Sequence, residues 1–397
     1  MIPSIRQQFN AQYTEEKYKK YLAQINSHTA HPVEFRIAET PVFIPNHFKN
    51  ALLSAGDEII SILLDPSTLQ HTQKAIPKEA ICKSKMQNPG CMVLDFAIAT
   101  DTYGNLIPKL IELQGFPSLF GFEVVQNQAI LNNYQIQANF NNYLNNYDES
   151  SYIAHLKKMI RGKENKHTVL LEIFPHQQKT CIDFYITEEL INIPIVCVSE
   201  LLLENNKLYY CRAGVKYLIE RIYNRVVFDE LKNQSAPIQE KGTYLQQVTD
   251  VEWVTHPHHF FTISKYSLPY LKHPSVPTTQ FLNQVENLPT DLSKYILKPL
   301  FSFAGQGVEI DINVEMIQNI TDPENWIIQE KVTYADCIET PTGMAKAEIR
   351  LFYFWDEYKN KYIATNNLTR LSKGKMIGVN YNKTATWVGG SLAYFEE

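Results

Sequence analysis

The chain has 397 residues, 44% of them hydrophobic, enough to bury a large core spread over two or three domains. Its 37 Lys and Arg nearly balance 42 Asp and Glu, so no long-range basic field draws it to nucleic acid or to an anionic membrane surface. No stretch reaches the roughly 18 uncharged apolar residues of a membrane span, and the first residues, MIPSIRQQFNAQYTEEKYKKYLAQ, lack the apolar run of a secretory signal, so the expected setting is the cytoplasm.

Residues 1–90 read as a helical segment. Tyr18, Tyr21, Leu22 and Ile25 fall at i, i+3, i+4 and i+7, and HFKNALLSAGDEIISILLD forms a second helical stripe after the Pro45-Asn46 breaker. Residues 91–160 open with a predicted β-hairpin, CMVLDFAIATD and LIPKLIELQGF around the turn TYGN, and continue through a polar connection into the helix SYIAHLKKMI. Over residues 161–252 strand-like runs (HTVLLEIF, IPIVCVSELLL, LYYCRA) alternate with helical ones (TEELI, GVKYLIERIYNRVVFDEL), the signature of βαβ units and a small Rossmann-like sheet. Residues 253–397 mix a predicted Thr-capped helix, VPTTQFLNQVENL, with strands that look antiparallel: KYILKP, NWIIQEKV, AEIRLFYFW and KYIATNNLTRL.

Neither G-x-G-x-x-G nor G-x-x-x-x-G-K-[ST] occurs, so dinucleotide and P-loop fingerprints are absent. The six cysteines form no C-x-x-C pair and read as small apolar residues, and His256, His258 and His259 in VTHPHHFF read as a loop entering a strand rather than as metal ligands. The informative stretch is YILKPLFSFAGQGVEID. Lys298 closes an apolar run, where a lysine is expensive to bury unless an anion meets it, and Gly305 and Gly307 let the following loop bring backbone N–H groups close to a phosphate. Lys265 lies upstream as a second cation, Gln329 and Glu330 end another strand whose backbone is placed to meet an adenine edge, and Glu348 and Arg350 share one face of a strand. Read as structure alone, Lys298, Arg350 and Glu112 would be ion-paired core residues.

The order Lys265, Lys298 with its glycine loop, Gln329-Glu330, then Glu348 and Arg350 resembles the nucleotide-binding half of the ATP-grasp family, which holds ATP between two antiparallel sheets. After the arginine strand, IGVNYNKTATWVGGS offers Asn380 and Asn382 but no carboxylate, whereas Asp95 and Glu112-Leu-Gln114 match a D…E-x-N strand pair at the other end of the chain. That displacement resembles the circularly permuted ATP-grasp proteins, which include glutathionylspermidine synthase. The resemblance implies an α/β (α+β) fold with a Rossmann-like domain ahead of the nucleotide region, ATP and magnesium as cofactors, and a carboxylate–amine ligase working through an acyl phosphate on small-molecule or peptide substrates. By resemblance, Lys265, Lys298, Gly305, Gly307, Gln329, Glu330, Glu348 and Arg370 bind nucleotide, Asp95, Glu112 and Gln114 hold magnesium, Arg350 meets the transferred phosphoryl group, and Arg225 meets the acceptor carboxylate. Gln114 stands where the family usually has Asn, and Val93 where an arginine often precedes the aspartate; Asp101 is a rival ligand. These departures motivate an alternative, a non-catalytic ATP-binding protein, beside a third reading as a small-molecule kinase.

Overall fold

The apolar stripe of HFKNALLSAGDEIISILL folds as the helix Asn46–Leu63 in the computed structural model, which describes all residues except 31, 163–165, 303–305, 376, 378–381 and 383. Two further helices, Pro3–Gln12 and Glu15–Asn26, precede it, the second capped by Thr14, whose side chain accepts from the Lys17 N–H. Phe48, Leu52, Ile59 and Leu63 pack against Met92, Leu94, Phe96, Ile349 and Leu351, so the helix covers one face of the largest sheet.

That sheet is six-stranded and explains the early hairpin. Its main order is Gly389–Ser391, Lys361–Ser372, Gly343–Asp356, Cys91–Thr100, Leu106–Gln114, all neighbours antiparallel, with Ile338–Thr340 pairing beside Gly343–Asp356. The hairpin therefore completes a sheet whose other strands all come from beyond residue 337. Cys91, Val93, Phe352, Phe354 and Leu368 on its second face pack against Tyr152 and Leu156 of the helix Glu149–Arg161. Further along the same strands, that face turns from apolar to charged.

A parallel four-stranded sheet, ordered Glu252–Trp253, Arg221–Asn224, Thr168–Glu172, Ile195–Cys197, forms the expected Rossmann-like layer, with the helix Cys181–Ile191 between its first two strands in sequence. The predicted helix GVKYLIERIYNRVVFDEL is instead two strands, Val215–Ile219 and Arg221–Asn224, followed by the short helix Phe228–Lys232. Burial decides this: Ile222 and Tyr223 sit between parallel neighbours, and β-branched and aromatic side chains fit that pleated surface better than a helix face.

A third sheet has Trp326–Glu330 at its centre, flanked by Thr279–Phe281 and Tyr295–Pro299. The predicted Thr-capped helix is thus an edge strand and a 3-10 turn, Leu282–Gln284, because Thr279 to Phe281 complete a ladder with Ile327 to Gln329. VTHPHHFF leads into the short helix His259–Thr262, not a strand. Cys82 and Cys91 are buried as expected, whereas Cys211 is exposed. Among the described residues no helix is long and apolar enough to cross a membrane.

Candidate functional site

Alternation along the strands sets up the charged patch. Asp95 lies two residues beyond Val93 on the same sheet face, and Glu348 and Arg350 precede Phe352 on the neighbouring strand. Register places Asp95 between Arg350 on one side and Glu112 on the other, and Glu348 opposite Arg370. Asp95 is 1% exposed and accepts from Arg350 Nε at 2.6 Å and Nη2 at 2.7 Å, a bidentate pair, and from Arg370 Nη2 at 2.6 Å. Arg370 also pairs with Glu348, whose other oxygen accepts from Tyr334 Oη at 2.9 Å. Against the push of burial, the two guanidiniums hold Asp95 below the usual carboxylate range, while burial pushes Glu348 up despite Arg370.

The small sheet supplies the lysine. Lys298 pairs opposite Ile327, on the face away from Leu297 and Ile328, which pack with Ile312. In the hairpin, Asp95 pairs with Glu112 but Phe96 with Leu110, leaving Ile111 as a β-bulge whose carbonyl accepts from Lys298 Nζ at 3.0 Å. Lys265, at the head of a 3-10 helix, donates to the Ser302 carbonyl at 2.8 Å and to its hydroxyl at 3.3 Å. Both lysines are buried, and neither makes an ion pair among the described residues. Burial lowers both, Lys298 to about 8, with Glu112 pulling the other way on each.

Across the base of the loop after Lys298, Leu297 bridges Glu309. Gly307 has a left-handed φ of 70°, and a Cβ there would meet Pro299 Cγ at 3.0 Å, so the return of the loop requires glycine. Gly305 and Asn380 lie outside the described residues. Asn382 is tied to Ser372 and the Lys373 N–H. The Glu330 N–H donates to Thr278 O at 2.9 Å and the Lys331 N–H to Lys294 O at 2.7 Å, so these strand-terminal donors are already used; Gln329 Nε2 donates to Thr279 Oγ1 at 2.9 Å.

As a magnesium set, Asp95, Glu112 and Gln114 do not fit. Both Asp95 oxygens are held by guanidiniums, and freeing a partner of a buried pair costs about 3–5 kcal/mol. Gln114 directs its amide nitrogen to Glu112, which leaves Glu112 as the one carboxylate not held by an arginine, in a neighbourhood of Lys265, Lys298 and Arg370. Asp101 organises the hairpin turn, accepting from the Tyr103 and Asn105 N–H groups at 2.9 and 2.8 Å. Among the described residues no cluster of three or more His, Cys, Asp or Glu side chains could hold a metal ion; His256, His258 and His259 are buried and bond to one another and to Cys82 and Ser84.

Arg225 lies elsewhere, at the carboxyl end of Arg221–Asn224. The strand order reverses there, since the chain goes from Thr168–Glu172 to Ile195–Cys197 on one side and returns to Arg221–Asn224 on the other, which is where open α/β sheets form a ligand crevice. Arg225 Nη1 donates to Phe116 O at 2.9 Å and Pro117 O at 2.8 Å, which ties this strand end to the loop just past Gln114. Glu172 ends the adjacent strand, pushed up to about 8 by burial against the opposing effect of Arg225, and Asn224 Nδ2 and Arg225 Nε have no hydrogen-bond partner among the described residues. Glu172 and Asn224 were not singled out from sequence. Glu172 carries the signal that marked Lys298, a charge at the end of an apolar run.

Two cavities lie away from these residues. One of about 390 Å³ is lined by Lys158, Lys166, Arg221 and Glu252, among others, and another of about 190 Å³ lies beside Leu63 and His259. The bases of the larger are paired with carboxylates, Lys166 and Arg221 with Glu252 and Lys158 with Glu357, whereas Lys265 and Lys298 make no ion pair among the described residues.

No protein-family model matches this chain, and no curated protein matches it. A solved structure does: a glutathione synthetase-like effector from Globodera pallida, in its apo form, superposes with a TM-score of 0.59 over 97% of this chain and 98% of that one. The fold is similar to that of a glutathione synthetase-like protein. Identity between the two chains is 10%, so the likeness concerns the fold alone.

Proposed function

We propose that the chain binds a nucleoside triphosphate, with ATP the expected ligand, between the small sheet and the charged face of the large one, in the manner of a circularly permuted ATP-grasp protein. The observation that carries this reading is the pair Lys265 and Lys298, two buried ammonium groups that make no ion pair among the described residues and share Glu112 as a nearby opposite charge, since a buried charge is stable only when something of opposite sign meets it. Facing antiparallel sheets and a fold similar to a glutathione synthetase-like protein support it. On this reading residues 253–397 are the nucleotide region, 91–160 carry its displaced hairpin, 161–252 form the preceding Rossmann-like domain, and 1–90 buttress the large sheet. Because Arg350 is committed to Asp95, the arrangement favours binding over turnover.

The test is thermal unfolding with ATP, ADP and GTP, on wild type and Lys298→Ala. Ligand at about a hundred times its dissociation constant adds roughly 2.7 kcal/mol, a rise of several degrees. A shift that Lys298→Ala removes supports the reading; no shift with any nucleotide ends it.

A second reading, ATP-dependent carboxylate–amine ligation, is favoured by the charged and unpartnered groups at the reversal point of the parallel sheet. Arg225 and Asn224 would take a carboxylate there and Glu172 an amine. The γ-phosphoryl group would pass to a carboxylate oxygen, releasing ADP, and the amine nitrogen would displace phosphate and lose its proton to solvent. ADP release that needs both a carboxylate and an amine supports ligation. Release without an amine, leaving a stable phosphorylated product, marks a kinase, and binding without release marks a non-catalytic nucleotide-binding protein.

A further inference from the structure

We infer that this site takes its polyphosphate without a divalent metal, the chain's own cations neutralising the charge that a metal ion would otherwise neutralise; the inference rests on the polyphosphate-binding reading above. Four cations, Lys265, Lys298, Arg350 and Arg370, gather around three carboxylates, Asp95, Glu112 and Glu348, while burial pushes Glu123 near Arg350 well up toward its neutral form, leaving an excess of positive charge before any ligand arrives. A metal ion would enter that field against repulsion, and magnesium, commonly held by one or two carboxylates beside the substrate's phosphates, would find only Glu112 of the three not held by an arginine. Asp95 is spent on two arginines, Glu348 on Arg370 and Tyr334, and Gln114 turns its amide nitrogen toward Glu112. Leu300, Phe301 and Ser302, which follow Lys298 into the loop, add no carboxylate, and the Ser302 hydroxyl and carbonyl already accept from Lys265. A polyphosphate needs the opposite of what a metal needs, and finds it in two ammonium groups whose present partners are neutral oxygens.

The sign of the metal effect follows. Metal-bound ATP carries less negative charge than free ATP, so magnesium should weaken binding here, whereas a site built around a metal bridge would require it. Removing the charge of Glu112 should tighten binding, because its carboxylate lies near enough to both lysines to act on their charge and would repel an anion placed there.

Isothermal titration of the full chain with ATP and with inorganic tripolyphosphate, in excess EDTA and in excess magnesium, tests this on wild type, Glu112→Gln and Lys298→Ala, each first checked by circular dichroism for an unchanged fold. The expected result is binding in EDTA at least as tight as in magnesium, severalfold tighter in Glu112→Gln, and lost in Lys298→Ala. Affinity about tenfold or more higher in magnesium, or loss of binding in Glu112→Gln, overturns the inference while leaving the nucleotide reading in place. Tripolyphosphate binding in EDTA without any ATP binding would do the reverse, and no binding of either ligand in either condition overturns both.

Discussion

Lys298 and Arg350 look alike in the sequence, each a basic residue in an apolar strand, but they occupy opposite electrostatic situations. Arg350 is one half of a buried bidentate pair, so Arg350→Met should lose roughly 3 kcal/mol in urea unfolding, near the lower end for broken buried pairs because Arg370 still holds one Asp95 oxygen. Lys298→Met removes a desolvated charge, worth up to about 3 kcal/mol for a group lowered from 10.5 to about 8, and leaves the Ile111 carbonyl open, which costs about 1–3 kcal/mol. Those effects nearly cancel, so unliganded stability should move by less than about 2 kcal/mol; a loss comparable to that of Arg350→Met would show Lys298 to be structural. The same lysine gives a pH signature. It is charged below about 8 in the free protein, and bound phosphate raises it, so affinity should be flat with respect to this group below pH 8 and fall above it, by up to about tenfold per unit. Affinity that rises from pH 8 to 9 would exclude Lys298 as an anion contact.

Among the elements, the segment from His256 to Thr262 acts as a knot. His258 Nε2 accepts from the Cys82 N–H at 2.9 Å, His256 meets Ser84 at 3.1 Å, and the His256 N–H donates to His259 Nδ1 at 3.1 Å, which joins the chain before the hairpin to the chain after the parallel sheet. Burial lowers His256 and His259 to about 3. Unfolding exposes histidines that protonate near 6.5, so their contribution is present above that pH and is lost as pH falls toward 3, at up to about 1.4 kcal/mol per unit for each. Glu172, raised to about 8, works in the opposite direction over part of that range, so the useful quantity is a difference. Urea midpoints at pH 7 and pH 5 should show His259→Gln losing about 2 kcal/mol less than wild type over that interval; equal losses would mean that His259 protonates freely in the folded chain.

At the scale of the molecule, distant segments complete one another. Val42–Ile44 runs parallel to Ala393–Glu396, and Phe395 lies 1% exposed in the core that the helix Asn46–Leu63 shares with the large sheet. Phe395→Ala should therefore cost about 3–5 kcal/mol, as a cavity in the main core and not a frayed end would; a change below about 1 kcal/mol in calorimetry would mean that this strand pairing contributes little. The same long-range closure brings Asp95 beside Arg350 and Arg370 and Lys298 beside the Ile111 carbonyl, joining segments that lie 187 to 275 residues apart.

Much of this was legible in the chain itself, for a local reason. Apolar spacing marks Asn46–Leu63, and turn chemistry around TYGN marks the hairpin, because both patterns arise from neighbours in sequence. Lys298 stood out because an isolated charge at the end of an apolar run is costly wherever the fold puts it. Only the tertiary structure decided the rest. Arg221–Asn224 is strand because parallel neighbours bury it, and the Ile111 bulge that receives Lys298 is a matter of register. Asp95 looked like a metal ligand because a sequence shows a carboxylate but not the two arginines that hold it, and those partners come from strands more than 250 residues away.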